Sequence, residues 1–372
     1  MKLRFVTLLL AFSSCVFAFY FSNLVEAQTT FPKTSVKSLP TATPPNPAPS
    51  PTVDPNIVDE NDIIRVDTEL VNLNVRVVDR NNRPISDVTN TDFKVFEDNV
   101  LQPIDAIIRQ EVTINYALLI DNSGSLRSQL EKVIEASKVI VASNKPDDDV
   151  CVIRFINSEK ISIEQDFTGD KSLINDALDG LFVEGGSTAV IDAVYLGVGR
   201  VSDYEKEKRG TEKKRRALIL ITDGEDRDSF YKDLQLFELL KESDVQIYPI
   251  GFVNELSNDG SLIRKSPKDQ AVKLLNKLAS ETGGKAYFPN SVAELNDIAN
   301  DIAKSLRTQY LISYSPTNDK RDGSFRAIKV LINDGKSKEK RIAITRSGRT
   351  AVVDGSAPTL QPQTSVPQKT KP

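Results

Sequence analysis

The chain has 372 residues, 39% hydrophobic and 27% charged, the balance of ordinary globular material. Its formal net charge of −4 and pI near 5.3 give no electrostatic case for nucleic-acid binding. It contains no histidine, which removes Ser-His-Asp and Cys-His catalysis and histidine-ligated zinc.

The N-terminus reads as an export signal. Lys2 and Arg4 precede an apolar stretch, Phe5 to Phe21, and "VEA" at Val25–Ala27 puts small residues at −3 and −1 of a cleavage position. The stretch is nearly long enough to span a bilayer, so an uncleaved anchor is the alternative for 1–27 and the one membrane attachment expected. The segment 28–60 is dense in Pro, Ser and Thr and cannot bury enough apolar surface to fold, so it is expected as a disordered linker.

From 61 to 112 the texture is β. "VNLNVRV" (Val71–Val77) alternates apolar and polar residues at period two, and "DFKVFED" forms a second short strand before Asp98-Asn99. The texture returns over 308–347 in "QYLISYS", "FRAIKVLIN" and "KRIAITR", with Asp322-Gly323 and Asp334-Gly335 as hairpin turns. Neither portion has enough strands for a core alone. They are expected to pair into one smaller β-sandwich-like domain, followed by a disordered tail, 348–372.

Between them, apolar runs at "YALLI", "VCVIRFI", "ALILI" and "VQIYPIGF" alternate with amphipathic helical patterns. This implies an α/β unit, a doubly wound, mostly parallel sheet with helices on both faces, with "EKISIEQDF" (Glu159–Phe167) as an antiparallel edge strand. Ser128 with Glu131, and Ser291 with Glu294, have capping-box spacing at two helix starts. Cys151 lies in an apolar run and reads as an inert buried thiol. The basic run Lys213–Arg216, flanked by glutamates, reads as a solvated loop, and Asp226 and Asp228 as solvated charges.

Ligands bind an open α/β sheet at the carboxyl ends of its strands. "YALLI" runs into Asp121-Asn122-Ser123-Gly124-Ser125, "ALILI" runs into Thr222-Asp223, and "EGGSTAVIDAV" offers Thr188 after two glycines. Hydroxyls from Ser123, Ser125 and Thr188 and carboxylates from Asp121 and Asp223 are hard oxygen ligands, suited to Mg²⁺ or Mn²⁺ and less well to Ca²⁺. Neutral hydroxyls leave a cation electron-poor, so a carboxylate from outside is a favourable remaining ligand.

These residues, with the flanks "GGSTAVIDAV" and "LILITDGED", resemble a von Willebrand factor type A (VWA) domain over 113–307, bearing that family's metal-ion-dependent adhesion site. The resemblance implies that the two serines, and in the ligand-bound state the threonine, touch the metal. It implies that the aspartates act largely through water, and that an Asp or Glu of a partner protein completes the shell. The whole arrangement is similar to bacterial exported VWA proteins, placing the chain in the periplasm, at the cell surface or secreted. The expected function is therefore metal-dependent protein binding, not catalysis. The alternatives are a structural envelope component with a stabilising metal, or a metal-dependent phosphohydrolase using Asp121 as nucleophile. Against the last, position 123 is Ser where an aspartyl phosphatase has an acid, and no histidine or placed lysine is available as proton donor.

Overall fold

The computed structural model describes residues 69–353 except 86–87, 110–112, 208–213, 260–264 and 336–339. The expected signal segment 1–27, the linker 28–60 and the tail beyond 353 lie outside the described residues. Strands β1 (Val71–Val78), β2 (Phe93–Glu97), β3 (Val100–Gln102) and β4 (Ala106–Ile108) come first. An alternating region follows: β5 (Ile114–Asp121), α1 (Leu130–Ala142), β6 (Asp149–Phe155), β7 (Ile161–Thr168), α2 (Lys171–Asp179), α3 (Val190–Glu207), β8 (Arg215–Thr222), α4 (Asp233–Glu242), β9 (Gln246–Gly251), α5 (Pro267–Thr282) and α6 (Leu295–Arg307). Strands β10 (Tyr310–Tyr314), β11 (Phe325–Ile332), β12 (Ile342–Ile344) and β13 (Gly348–Thr350) close the described chain.

The central sheet has the order β7-β6-β5-β8-β9, parallel except for β7 at its edge. Every residue of β5 is buried, because helices cover both faces. Tyr116, Leu118 and Ile120 pack with α1, α2 and α6, while Ala117 and Leu119 face α3, α4 and α5. From β5 the chain moves outward to β6 and later returns to lay β8 on the other side. The carboxyl ends of β5 and β8 therefore flank the topological switch point, the crevice where such sheets bind ligands.

The strands before and after this unit pair with one another. Strand β1 runs antiparallel to β10, from Val71 opposite Tyr314 to Val75 opposite Tyr310, and β2 pairs with β11. Two four-stranded sheets result, β12-β1-β10-β4 and β13-β11-β2-β3, sharing a core of residues such as Leu73, Val95, Ile312 and Val330. The α/β unit is thus inserted in a smaller antiparallel β layer pair. Among the described residues, no helix is long and apolar enough to cross a membrane.

Several local expectations are corrected. Neither Asp322-Gly323 nor Asp334-Gly335 closes a hairpin, because the chain changes sheets between β10 and β11 and again between β11 and β12. The tight hairpin is at Asp98-Asn99, both at positive φ (48° and 66°), joining β2 to β3. The second β portion extends past 347, since β13 pairs with β11 within the stretch expected as tail. Neither capping box forms. Helix α1 is entered from a 3₁₀ turn, with Gln129 and not Ser128 before its first residue, and Glu294 accepts from the Asn290 N–H. Arg215 and Arg216 are not a solvated loop but the start of β8, and Arg215 is buried, its guanidinium donating to the Leu306 carbonyl at the end of α6.

Candidate metal centre

Asp121 is the last residue of β5 and is wholly buried. Its Oδ1 accepts from the Ser123 N–H at 2.9 Å, which turns the chain so that residues 123–125 rise over the strand end. The Ser123 and Ser125 hydroxyls then meet at 2.9 Å, the buried one beside the exposed one. The Oδ2 of Asp121 accepts from the Thr222 hydroxyl at 2.7 Å across the sheet. Thr222 Oγ1 in turn accepts from the Gly224 N–H at 3.0 Å, and Asp223 accepts from the Glu225 N–H at 2.9 Å. Two adjacent parallel strands therefore end in two carboxylates held by neutral donors.

Thr188, also buried, reaches the same rim through its main chain. Its carbonyl accepts from the Arg227 and Asp228 N–H groups at 2.8 and 3.2 Å, tying the start of α3 to the loop that follows Asp223. The structure thus links all three segments singled out in the sequence: 121–125 to 222–223 by side chains, and 188 to 227–228 by backbone.

Burial pushes the Asp121 carboxyl up to about 7 from an ordinary 3.8, and the neighbouring Asp223 charge adds to the rise against the Thr222 and Ser123 hydrogen bonds. Neither aspartate forms an ion pair among the described residues. Two buried like charges without a lysine or arginine are unfavourable until a cation joins them. Among the described residues, no group of three or more His, Cys, Asp or Glu converges, so a cation bound here would draw on hydroxyl oxygens. The donor set at this rim fits a hard divalent ion.

Three supporting residues escaped the sequence reading. Thr222 was visible beside Asp223 but carried no role until the cross-sheet bond appeared. Asn122 fixes the loop before Thr188: its side-chain amide donates to the Phe182 carbonyl and its own carbonyl accepts from the Glu184 N–H, both at 2.9 Å. Asp192, buried on α3, accepts from the Phe230 and Tyr231 N–H groups at 2.7 and 2.8 Å and anchors the far side of the 223–231 loop. Asp226 is a correction. It is no merely solvated charge, since its carboxylate accepts from the Ile191 N–H in the first turn of α3 and from the Ser229 hydroxyl, and burial raises its pKa. A contact between loops far apart in the chain leaves no local periodicity to read.

The model of the von Willebrand factor type A domain matches residues 115–301, half of the chain. A curated relative, the uncharacterized protein sll0103 of Synechocystis sp., is 28% identical over 155 residues, which are 40% of this chain and 34% of that protein. The match thus spans about a third of the relative's length. Similar solved structures include the von Willebrand factor type A protein from Catenulispora acidiphila, 14% identical at a TM-score of 0.42, covering 78% of this chain and 75% of that one. Another is BatB from Bacteroides thetaiotaomicron, 17% identical at a TM-score of 0.37, covering 52% and 98%. A third is proximal thread matrix protein 1 from the mussel byssus, solved with a zinc-occupied MIDAS motif, 18% identical at a TM-score of 0.41, covering 57% and 50%. With the match centred on the parallel sheet and its strand-end loops, the chain belongs to the von Willebrand factor type A domain family.

Proposed function

We propose that this chain is an exported binding module that captures a partner protein through a divalent cation. Ser123, Ser125 and Thr188 hold the ion, with Asp121 and Asp223 supplying charge, and Mg²⁺ or Mn²⁺ suits this oxygen set better than Ca²⁺. When bound, the ion supplies a Lewis-acidic position for an Asp or Glu carboxylate of the partner. The chain's own residues orient it: Thr222 fixes Asp121, and Asn122 and Asp192 fix the flanking loops. The α/β unit over 113–307 is the binding body, and the strands on either side form its base.

The observation that carries this reading is the pair of buried carboxylates at adjacent strand ends without a cationic side chain among the described residues. Catalysis has less support. The Ser123 and Ser125 hydroxyls bond each other, and the chain has no histidine to activate either. The test is capture of a partner from native envelope in Mg²⁺, in EDTA and with Asp121→Ala, alongside Mg²⁺ binding by calorimetry. Binding lost under both treatments, with the melting profile retained, is the expected result. Capture that survives both overturns the metal-mediated mechanism. Metal that only raises the melting temperature, with no partner recovered, favours the structural alternative.

A further inference from the structure

The loop that holds Asp223 has a second surface. Residues Gly224 to Arg227 form one wall of an open cleft of about 760 Å³, the size class of ligand pockets, and the N-terminal half of α5 forms the other. Its apolar lining includes Ile191 in the first turn of α3 and Ala271 and Leu274 in the N-terminal half of α5. The walls approach closely because residue 224 is glycine. It sits at φ +81°, and a Cβ there would lie 3.0 Å from both Ala271 Cβ and Leu275 Cδ1. The cleft therefore begins one residue from Asp223 and is shaped by the same loop.

Charge in the cleft is unequally satisfied. Glu225 pairs with Arg227, and Asp226 is engaged by Ser229 and the Ile191 N–H. Asp233 lies in the first turn of α4, where a helix terminus favours a negative charge. Lys277 lies 3.5 Å over the Phe237 ring. Lys265, just before α5, and Lys273 on it are both exposed and have no carboxylate partner among the described residues. The cleft thus combines apolar side chains with two ammonium groups that lack a carboxylate partner among the described residues, and the loop following Asp223 lines it.

We infer that this cleft seats the segment of the partner protein next to its metal-bound acid. The segment is an extended acidic peptide, with an apolar residue against Ile191 and Leu274 and a further carboxylate at Lys265 and Lys273. The inference rests on the metal-docking reading above and adds the partner's local sequence chemistry to it. Ammonium–carboxylate pairs at an exposed rim steer and discriminate more than they tighten, so each contributes modestly.

Three fluorescent hexapeptides test it on the full chain in Mg²⁺ by fluorescence polarisation. One carries an Asp-Leu-Glu core, one Asp-Leu-Gln and one Asn-Leu-Glu. The Asp-Leu-Glu peptide should bind about fivefold more tightly than Asp-Leu-Gln. With Lys265→Gln and Lys273→Gln combined, that advantage should vanish, with calorimetric Mg²⁺ affinity unchanged. Equal, Mg²⁺-dependent binding of the two Asp peptides overturns the cleft assignment and leaves the metal reading standing. If the Asn peptide binds as well as the Asp peptides, or EDTA changes nothing, the metal reading falls and the cleft proposal with it. An advantage that persists in the double variant also overturns the assignment, because other cations then read the second acid.

Discussion

At the amino-terminal end of the parallel strands, the wholly buried Asp148 accepts from the Ile114 and Lys145 N–H groups at 2.9 and 2.8 Å and pairs with Arg307 at 2.6 Å. At the carboxyl-terminal end, the equally buried Asp121 meets neutral donors from Thr222 and Ser123, with a second carboxylate nearby. One end meets its buried charge with groups from the chain itself. It brings Arg307 to Asp148, Arg215 to the end of α6, and Arg76 of β1 to the Gly284 carbonyl at 3.2 Å. The other end leaves negative charge for a cation to offset. On the proposed reading, one rim stays open for a cation because the opposite end, clasped by the β layers, holds the body together without it.

Breaking the satisfied end should have the largest effect. Asp148→Ala leaves the Arg307 guanidinium held by the Ser143 carbonyl but without its charge partner, strands two backbone donors, and should remove about 3–5 kcal/mol of stability. Chemical denaturation, with the midpoint compared at unchanged slope, reads this directly. Mg²⁺ affinity should survive in whatever fraction remains folded, because Asp148 is far along the strands from the rim. Gly284→Ala strikes the same end by sterics. A Cβ there would lie 1.9 Å from the Ile247 carbonyl oxygen, and overpacking of this kind costs about 1–3 kcal/mol. If either substitution abolished metal binding while leaving the melt unchanged, the separation of the two ends would be wrong.

The open end should behave in the opposite sense. In EDTA, the folded chain holds the Asp121 proton up to about pH 7, whereas the unfolded chain releases it near 3.8. More protons bound in the folded state mean that stability falls as pH rises across that window. Asp121→Asn removes the titrating group, so its metal-free melting temperature should decline less between pH 4 and 7. The same variant should lose the Mg²⁺-induced rise at pH 7.5. A steeper pH decline in Asp121→Asn than in the parent would contradict the burial argument.

The parallel sheet was legible in the sequence because its strands are continuous apolar runs between amphipathic helices. The edge strand β7 was legible from its alternation. Asp121 and Asp223 were legible as strand-end carboxylates because the first closes a buried apolar run and the second directly follows one. What escaped depends on partners distant in the chain. Arg215 looked solvated because its sequence neighbours are charged, yet the receiving carbonyl is Leu306. Asp226 looked like a surface acid, yet its donors come from α3 and Ser229. The Asp-Gly pairs carry true turn chemistry, and Gly323 does adopt φ 69°, but the turn delivers the chain to the other sheet. Local preference sets a turn's backbone; which strand lies beyond it is decided by the shared core.

Thr222 gives the finest test of the open end, because it contributes no charge and need not touch a metal. Its hydroxyl orients Asp121 and accepts the Gly224 N–H, so it couples the two carboxylate-bearing loops. Groups that orient metal-binding carboxylates typically change affinity by about 10- to 100-fold when removed. Thr222→Val keeps the shape and deletes the hydroxyl; a loss of Mg²⁺ affinity near the lower bound is expected, read by calorimetry. Thr222→Ser, which keeps the donor, should restore most of it. The metal-free melting temperature should move far less than in Asp148→Ala, since Asp121 retains its bond from the Ser123 N–H. Equal affinities for Val and Ser would show that the hydroxyl only fills space. Rescue by Ser alone would show that the strand-end geometry of Asp121 is set from the neighbouring strand, and that the rim is prepared for its ion before the ion arrives.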